Sequence, residues 1–299
     1  AGLNASWFQM NGNVSVEPLV SASWELHENH QLSLGYGNHS QMEPLFVYYV
    51  QGSSQNGNGL YPNKELKRMK AHHFVLGYDW AITPNLRLKI EPYYQHRYHV
   101  PVVDGTAYSM LNFMSDWTFD KVLVNEGTGT NLGIDFTLER FLKNGLYYMT
   151  TASVYDSKYL DAQGEEYRTR YDGGYVVNLL GGKEWTINDK NLLSVNFKFT
   201  FMGPFWHHPV DKEATHLARN IMYDESQPFT YRHSDFESMT DLTINYRING
   251  NQVSSVFALR VKNIQGRQYM GKQYHLPEQH IENDIFTSPV PFVSYKIEF

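Results

Sequence analysis

Leu193-Ser-Val-Asn-Phe-Lys-Phe-Thr-Phe201 sets Leu193, Val195, Phe197, Phe199 and Phe201 against Ser194, Asn196, Lys198 and Thr200. Side chains of an extended chain point alternately to its two faces, so this stretch is a strand with one apolar and one polar face. The same period of two recurs at 86–91, 131–139 and 241–248, where Leu86, Leu88 and Ile90, then Leu132, Ile134, Phe136 and Leu138, then Leu242, Ile244, Tyr246 and Ile248 share a face. Working outward from these, twelve segments alternate: 1–10, 14–27, 31–40, 72–82, 86–99, 129–142, 146–158, 174–186, 192–203, 238–248, 253–263 and 290–299. Helical spacing is almost absent. The chain is read as all-β.

The connections are sorted by length. Glu28-Asn29-His30, Thr83-Pro84-Asn85, Lys143-Asn144-Gly145, 188–191 and 249–252 are short and carry the Asn, Gly and Pro that tight hairpins need. Between them run long connections, 41–71, 100–128, 159–173, 204–237 and 264–289. The link at Asn11-Gly12-Asn13 is short where a long one is due. Tight turns at one end and large loops at the other describe an antiparallel transmembrane β-barrel of about twelve strands in this chain. The apolar face then meets lipid, with aromatics near segment ends (Tyr36, Trp80, Tyr94, Trp185, Tyr246) as girdles. The charged face, with Lys89, Glu91, Asp135, Glu139, Lys198, Arg247, Arg260 and Lys262, lines a wet lumen. A soluble β-sandwich adhesin places the same charges on its solvent face and stays open on alternation alone.

Composition excludes other classes. No run of 18 apolar residues occurs in the 299, which excludes a helical membrane protein. With 25 Lys+Arg against 31 Asp+Glu and no long basic run, a nucleic-acid partner is not expected. No cysteine is present, so disulfides and thiolate metal sites are absent. Ala1-Gly2-Leu3-Asn4 has neither the basic start nor the apolar core of a signal peptide, which implies either processing or a start inside a longer protein.

Several stretches together resemble the barrel of TonB-dependent receptors. They are Ser15-Val-Glu-Pro18, the run from Leu32 to Leu45, His73-Phe-Val-Leu-Gly-Tyr-Asp79 and Leu86-Arg-Leu-Lys-Ile-Glu-Pro-Tyr-Tyr94. Asn125-Glu-Gly-Thr-Gly-Thr-Asn131, Thr137-Leu-Glu-Arg-Phe141, Asp156-Ser-Lys-Tyr159, the run from Tyr175 to Glu184 and Ser294-Tyr-Lys-Ile-Glu-Phe299 complete the match. The resemblance is to the branch whose plug follows a carboxypeptidase-regulatory-like domain. It implies a 22-stranded barrel in the bacterial outer membrane, a plug inside it, and nutrient import driven by an inner-membrane energy-coupling protein. This sequence has about twelve of those strands, no plug and no TonB box, so residues 1–299 are expected to be the C-terminal portion, with the N-terminal barrel and plug elsewhere in the same receptor. A free-standing plugless barrel that anchors a partner is the alternative. Expected partners are outer-membrane lipid, that N-terminal portion, the coupling protein, the barrel-assembly machinery and a surface lipoprotein.

Candidate sites fall mostly in the long loops, where function concentrates on rigid scaffolds. Phe113, Trp117 and Phe119 in one loop, and Phe205, Trp206, His207 and His208 in another, are candidate ligand contacts. The plainer reading is that these aromatics pack the loops over the barrel mouth. Val293, Tyr295, Ile297 and the final Phe299 alternate like an outer-membrane assembly signal; the plainer reading is an edge strand. His72-His73, His207-His208 with Asp211, His216 and His233, and His275 with His280 raise a metal hypothesis. Neighbouring His72 and His73 face opposite ways, and no zinc spacing such as HExxH occurs, so no metal and no cofactor are expected. Gly127-Thr-Gly-Thr130 lacks the Lys-Ser/Thr of a phosphate loop and is expected to be a turn into a strand. No G-x-S-x-G occurs, and a grouping of His99, Asp156 and Ser157 has no spacing behind it, so no catalytic residue is expected.

Overall fold

A computed structural model describes residues 1–52, 60–114, 119–266, 268–275 and 280–299. Twelve strands follow one another across a single antiparallel sheet: β1 (Gly2–Phe8), β2 (Asn13–His27), β3 (His30–Gln41), β4 (Met69–Thr83), β5 (Leu86–Val102), β6 (Val124–Lys143) and β7 (Leu146–Leu160) come first. After β8 (Glu166–Arg168), a three-residue strand that pairs only with β7, the path continues through β9 (Tyr175–Ile187), β10 (Asn191–Met202), β11 (Glu237–Asn249), β12 (Ser254–Lys262) and β15 (Val290–Glu298). Two further strands, β13 (Gln268–His275) and β14 (His280–Phe286), form a separate hairpin. The twelve alternating segments are these twelve strands, in order. Among the described residues β1 and β15 are not paired with each other, so the sheet is open.

Register turns the alternation into two continuous faces. Leu34 pairs with Leu76, Phe74 with Tyr94, Tyr94 with Leu132 and Ile134 with Val154. Across the later strands Leu193 pairs with Tyr246, Tyr246 with Phe257 and Phe257 with Tyr295. The opposite face pairs Glu91 with Asp135, Asp135 with Ser153 and Lys198 with Asp241. On the apolar face Leu3, Trp7, Val16, Val20, Trp24, Leu34, Leu76, Leu132, Val154, Leu259 and Val293 are all exposed. Leaving one such side chain in water forfeits about 1.5–3 kcal/mol. The eleven together forfeit more than the roughly 5–15 kcal/mol by which a domain is stable. The buried apolar residues, moreover, sit in the loops and at strand tips: Val47, Tyr48, Val50, Leu66, Val100, Val102, Met110, Leu123, Tyr159 and Phe229. A sandwich buries one face of each sheet, which this sheet does not do. Its apolar face is built for lipid. Among the described residues no helix is long and apolar enough to cross a membrane, and the crossing elements are strands.

Local chemistry explains the details. Asn144 and Gly145 both have positive φ, the backbone of the two-residue turn that joins right-twisted strands. A Cβ on Gly145 would strike the carbonyl oxygen of Glu184. Pro92 has no N–H to offer β4, and the β4–β5 ladder lapses opposite it, between the pairs Val75–Tyr93 and Tyr78–Ile90. The short link after β1 is explained too: Asn11 Nδ2 donates to the carbonyls of Lys64 (3.0 Å) and Leu66 (3.0 Å), which fastens this turn into the loop end.

One expectation is corrected, and two of the long connections hold structure of their own. Gly127 and Gly129 lie within β6, not in a turn before it: a Cβ on Gly127 would meet Val102 and the Val100 carbonyl, and one on Gly129 would meet Leu111, so bare backbone lets the loop pack against the strand. The connection at 264–289 holds the β13–β14 hairpin, whose strands lack a sustained alternation although Tyr269 pairs with Ile285 and Tyr274 with Ile281. The connection at 204–237 contains a helix, α1 (Lys212–Ala218), capped by Asp211, whose carboxylate accepts from Ala214 N–H at 2.9 Å.

Candidate functional site

The long loops fold together over one end of the sheet, and asparagines tie the first of them down. Asn63, fully buried, donates from Nδ2 to the carbonyls of Val47 (3.0 Å) and Lys121 (2.9 Å) and accepts at Oδ1 from Leu123 N–H (2.9 Å). Asn125 Nδ2 donates to the carbonyls of Lys67 (3.1 Å) and His99 (2.9 Å), and its Oδ1 accepts from Lys67 N–H (2.7 Å). Around these bonds Val47, Tyr48, Leu66, Met110 and Leu123 form a buried apolar cluster. Phe113 and Phe119 pack onto it, with their rings 5.8 Å apart and edge-to-face. Both therefore hold the cap together and do not line the pocket beside it. Trp117 lies outside the described residues.

The second aromatic group falls differently. Phe205 meets Tyr171 edge-on at 5.3 Å. Trp206 joins two loops: its backbone N–H donates to the Arg170 carbonyl (2.8 Å), its Nε1–H donates to the Asp172 carbonyl (2.7 Å), and its ring lies 4.3 Å from the Arg232 guanidinium and 5.1 Å from that of Arg168. His207 exchanges two backbone hydrogen bonds with Tyr231, at 2.8 and 3.0 Å. The His208 ring meets Phe229 edge-on at 4.7 Å.

Trp206, His207 and His208 line one wall of a cavity of about 460 Å³. Tyr108, Asn112 and Lys121 come from the loop after β5, Arg170 from the loop after β7, and Tyr223, Glu225 and Phe229 from the loop after β10. Burial, and then the nearby Arg170, push the His207 imidazole down to about 4. Burial also lowers His208. Both rings are thus neutral at pH 7 and offer one donor and one acceptor each, while Arg170 and Lys121 supply positive charge. Arg170 Nε is shut off from solvent and makes no hydrogen bond among the described residues. Such a pocket can hold a flat apolar body against Trp206 and an anionic or acceptor group against Arg170. A second hollow of about 630 Å³ lies on the polar face of the sheet, lined by Glu91, Arg97, Asp135, Ser153 and Asn178 among others.

The remaining groupings separate. His72 stacks between Tyr36 and Tyr98, while His73 turns to the other face against His39 and Tyr93. His216, on α1, contacts Tyr274 Oη at 3.1 Å and stands apart from the pocket. Asp156 and Ser157 are consecutive on β7 and face opposite ways, so no triad with His99 forms. Val293, Tyr295 and Ile297 stand in the apolar ladder, and Phe299 follows β15 almost fully exposed. The sequence reading missed Asn63, Arg170 and Tyr108. A loop asparagine carries no periodic signal, and its role shows only once two loops meet around it.

Comparison with known proteins agrees with this geometry. A family model described as TonB dependent receptor-like, beta-barrel, matches residues 1–264. No curated protein matches the sequence. Among solved structures, the chain is similar to BauA, the ferric preacinetobactin receptor of Acinetobacter baumannii (TM-score 0.61, 9% identity, 95% of this chain and 36% of that one). It is also similar to FpvA of P. aeruginosa bound to heterologous pyoverdines (0.60, 12%, 95% and 33%). A third is FyuA, the ferric yersiniabactin uptake receptor of Yersinia pestis (0.59, 12%, 96% and 38%). The chain spans between 33% and 38% of the length of these receptors, and at such identities the likeness is one of fold. The lipid-facing ladder, the sorted turns and loops and the family match over residues 1–264 together establish that the chain belongs to the TonB-dependent receptor β-barrel family and is an outer-membrane protein.

Proposed function

We propose that residues 1–299 form the C-terminal barrel portion of a receptor that imports a nutrient too large or too rare for porins, and that the pocket at Trp206, His207 and His208 contacts it. The observation that carries this reading is the cap: the long loops fold over one end of a lipid-facing sheet, those after β3 and β5 are braced by buried asparagine bonds, and those after β5, β7 and β10 leave a pocket of mixed aromatic and cationic character there. The open sheet fits a barrel completed by further strands of the same receptor. On this reading a plug from that N-terminal portion fills the lumen, and the inner-membrane energy-coupling protein acts through the plug. A surface lipoprotein is a further partner on the loop side. The barrel-assembly machinery reads the alternating Val293, Tyr295, Ile297 and Phe299.

The test is an intact mass on protein from outer-membrane vesicles, detected with an antibody against the 204–237 loop, together with capture by the periplasmic domain of the coupling protein. A species far above 34.8 kDa that is captured supports import. A heat-modifiable species at 34.8 kDa that is not captured overturns it and leaves a plugless anchoring barrel.

A further inference from the structure

The β13–β14 hairpin brings together side chains that the import reading does not use. His275 and His280 face each other across it, with rings 4.9 Å apart and nearly parallel at 10°. Glu282 lies two residues along β14 from His280 and therefore on the same face. Its Oε1 is 2.6 Å from His275 Nε2, and its Oε2 is 3.5 Å from His280 Nε2. One nitrogen of each imidazole and one carboxylate oxygen lie within 4.8 Å of one another. His275 Nε2 is shut off from solvent, with the Glu282 carboxylate as its neighbour.

Two stacked imidazoles thus converge on one carboxylate, and the three side chains bring two nitrogens and an oxygen to a common point on the hairpin. From these residues we propose that His275, His280 and Glu282 form a binding site for a divalent transition metal of the zinc class. Tetrahedral zinc with bonds of about 2.0–2.1 Å needs its donors roughly 3.3 Å apart, between the closest and widest separations here. These partly exposed side chains reach it by small rotations. Imidazole and carboxylate together suit zinc, copper and nickel, and do not suit magnesium or calcium, which take oxygen ligands. Three protein ligands leave a fourth position for water.

The site has a structural consequence. The stem of the hairpin packs on the loop after β10: Tyr269 stacks on His233 at 3.7 Å and meets His207 edge-on at 5.8 Å, and Lys272 lies 5.0 Å over the Tyr231 ring. A metal at the far end staples the two strands of an element that leans on the pocket wall.

Calorimetric titration with zinc of the protein purified from outer membranes in detergent tests this. The wild type is expected to show one saturable site that magnesium does not compete for. His280→Ala and Glu282→Gln each weaken it by roughly tenfold or more, while His27→Ala, at the opposite end of the sheet, does not. Heat-modifiability confirms that each variant is folded, and absorption spectroscopy at the zinc edge reads two imidazole nitrogens and a carboxylate oxygen. No uptake at about 1 mM zinc, or a His280→Ala titration that matches wild type, overturns the proposal.

Discussion

Replacing Asn63 by alanine removes three hydrogen bonds at once and touches no strand. Its amide serves the Val47 and Lys121 carbonyls and the Leu123 N–H, and both Val47 and Leu123 are buried where water does not reach them. At a net of about 1 kcal/mol per bond the cap loses about 3 kcal/mol, and more if the orphaned groups find no water. A loss of that size raises the open population of the cap by roughly a hundredfold. Hydrogen exchange on the protein in detergent reads this directly, because the Leu123 amide is itself one of the three donors. Its exchange should accelerate roughly a hundredfold, together with peptides covering 44–50, while β6 and β7 exchange as before. Asn63→Asp keeps the acceptor but buries a charge, so it should open the cap further at pH 8 than at pH 5. Unchanged protection at Leu123 in Asn63→Ala, or loss of protection spread into β6 and β7, would refute the reasoning.

Other outcomes follow from the same geometry. His207 has an ordinary value near 6.5 and is pushed to about 4 by burial and Arg170, so the folded loop binds fewer protons than the unfolded one between those values. Protection of the His207–Tyr231 bridge should hold above pH 6.5 and fall as pH drops toward 4; constant protection down to pH 4 contradicts the burial. Glu43 behaves in the opposite sense: burial raises it to about 7, so its contribution is present below 4.5 and lost as pH rises through 7. Glu43→Gln should therefore strengthen the cap at pH 8 and leave it unchanged at pH 4, as read by exchange in peptides covering 42–50. Phe299 is 98% exposed and packs against nothing in the sheet. Phe299→Ala should refold normally in detergent yet reach the outer membrane of living cells at a several-fold lower level; equal levels remove its role in assembly.

The sheet was legible because each spanning strand faces two different solvents. Lipid on one side and water on the other force the alternation of Leu193 to Phe201 and its counterparts, and all twelve spanning strands carry it. The hairpin at 268–286 faces no such contrast. Gln268 to His275 mixes polar, aromatic and Met side chains without alternation, and its placement depends on Tyr269 and Tyr274 meeting His207, His233 and His216 from another loop. The site was legible in part for a related reason. Trp206, His207 and His208 stood out as residue types, and the structure gathers them on one wall. Phe113 and Phe119 stood out equally and pack the cap, because the same apolar surface serves a ligand or a neighbouring loop. Arg170 lies far from all of them in sequence and is held at the pocket by the backbone bond from Trp206 to its carbonyl and by its own N–H donating to Asn112 Oδ1.

The central claim is that the strands cross a membrane with the tight turns on one side and the loops on the other. The chain has no cysteine, so single cysteines report cleanly. Leu217→Cys, on the exposed face of α1, and Glu28→Cys, in the turn between β2 and β3, would be probed in intact cells with a membrane-impermeant maleimide. The account predicts that the cysteine at 217 labels in intact cells, and that the one at 28 labels only after the outer membrane is permeabilised. Equal labelling of both in intact cells would contradict it.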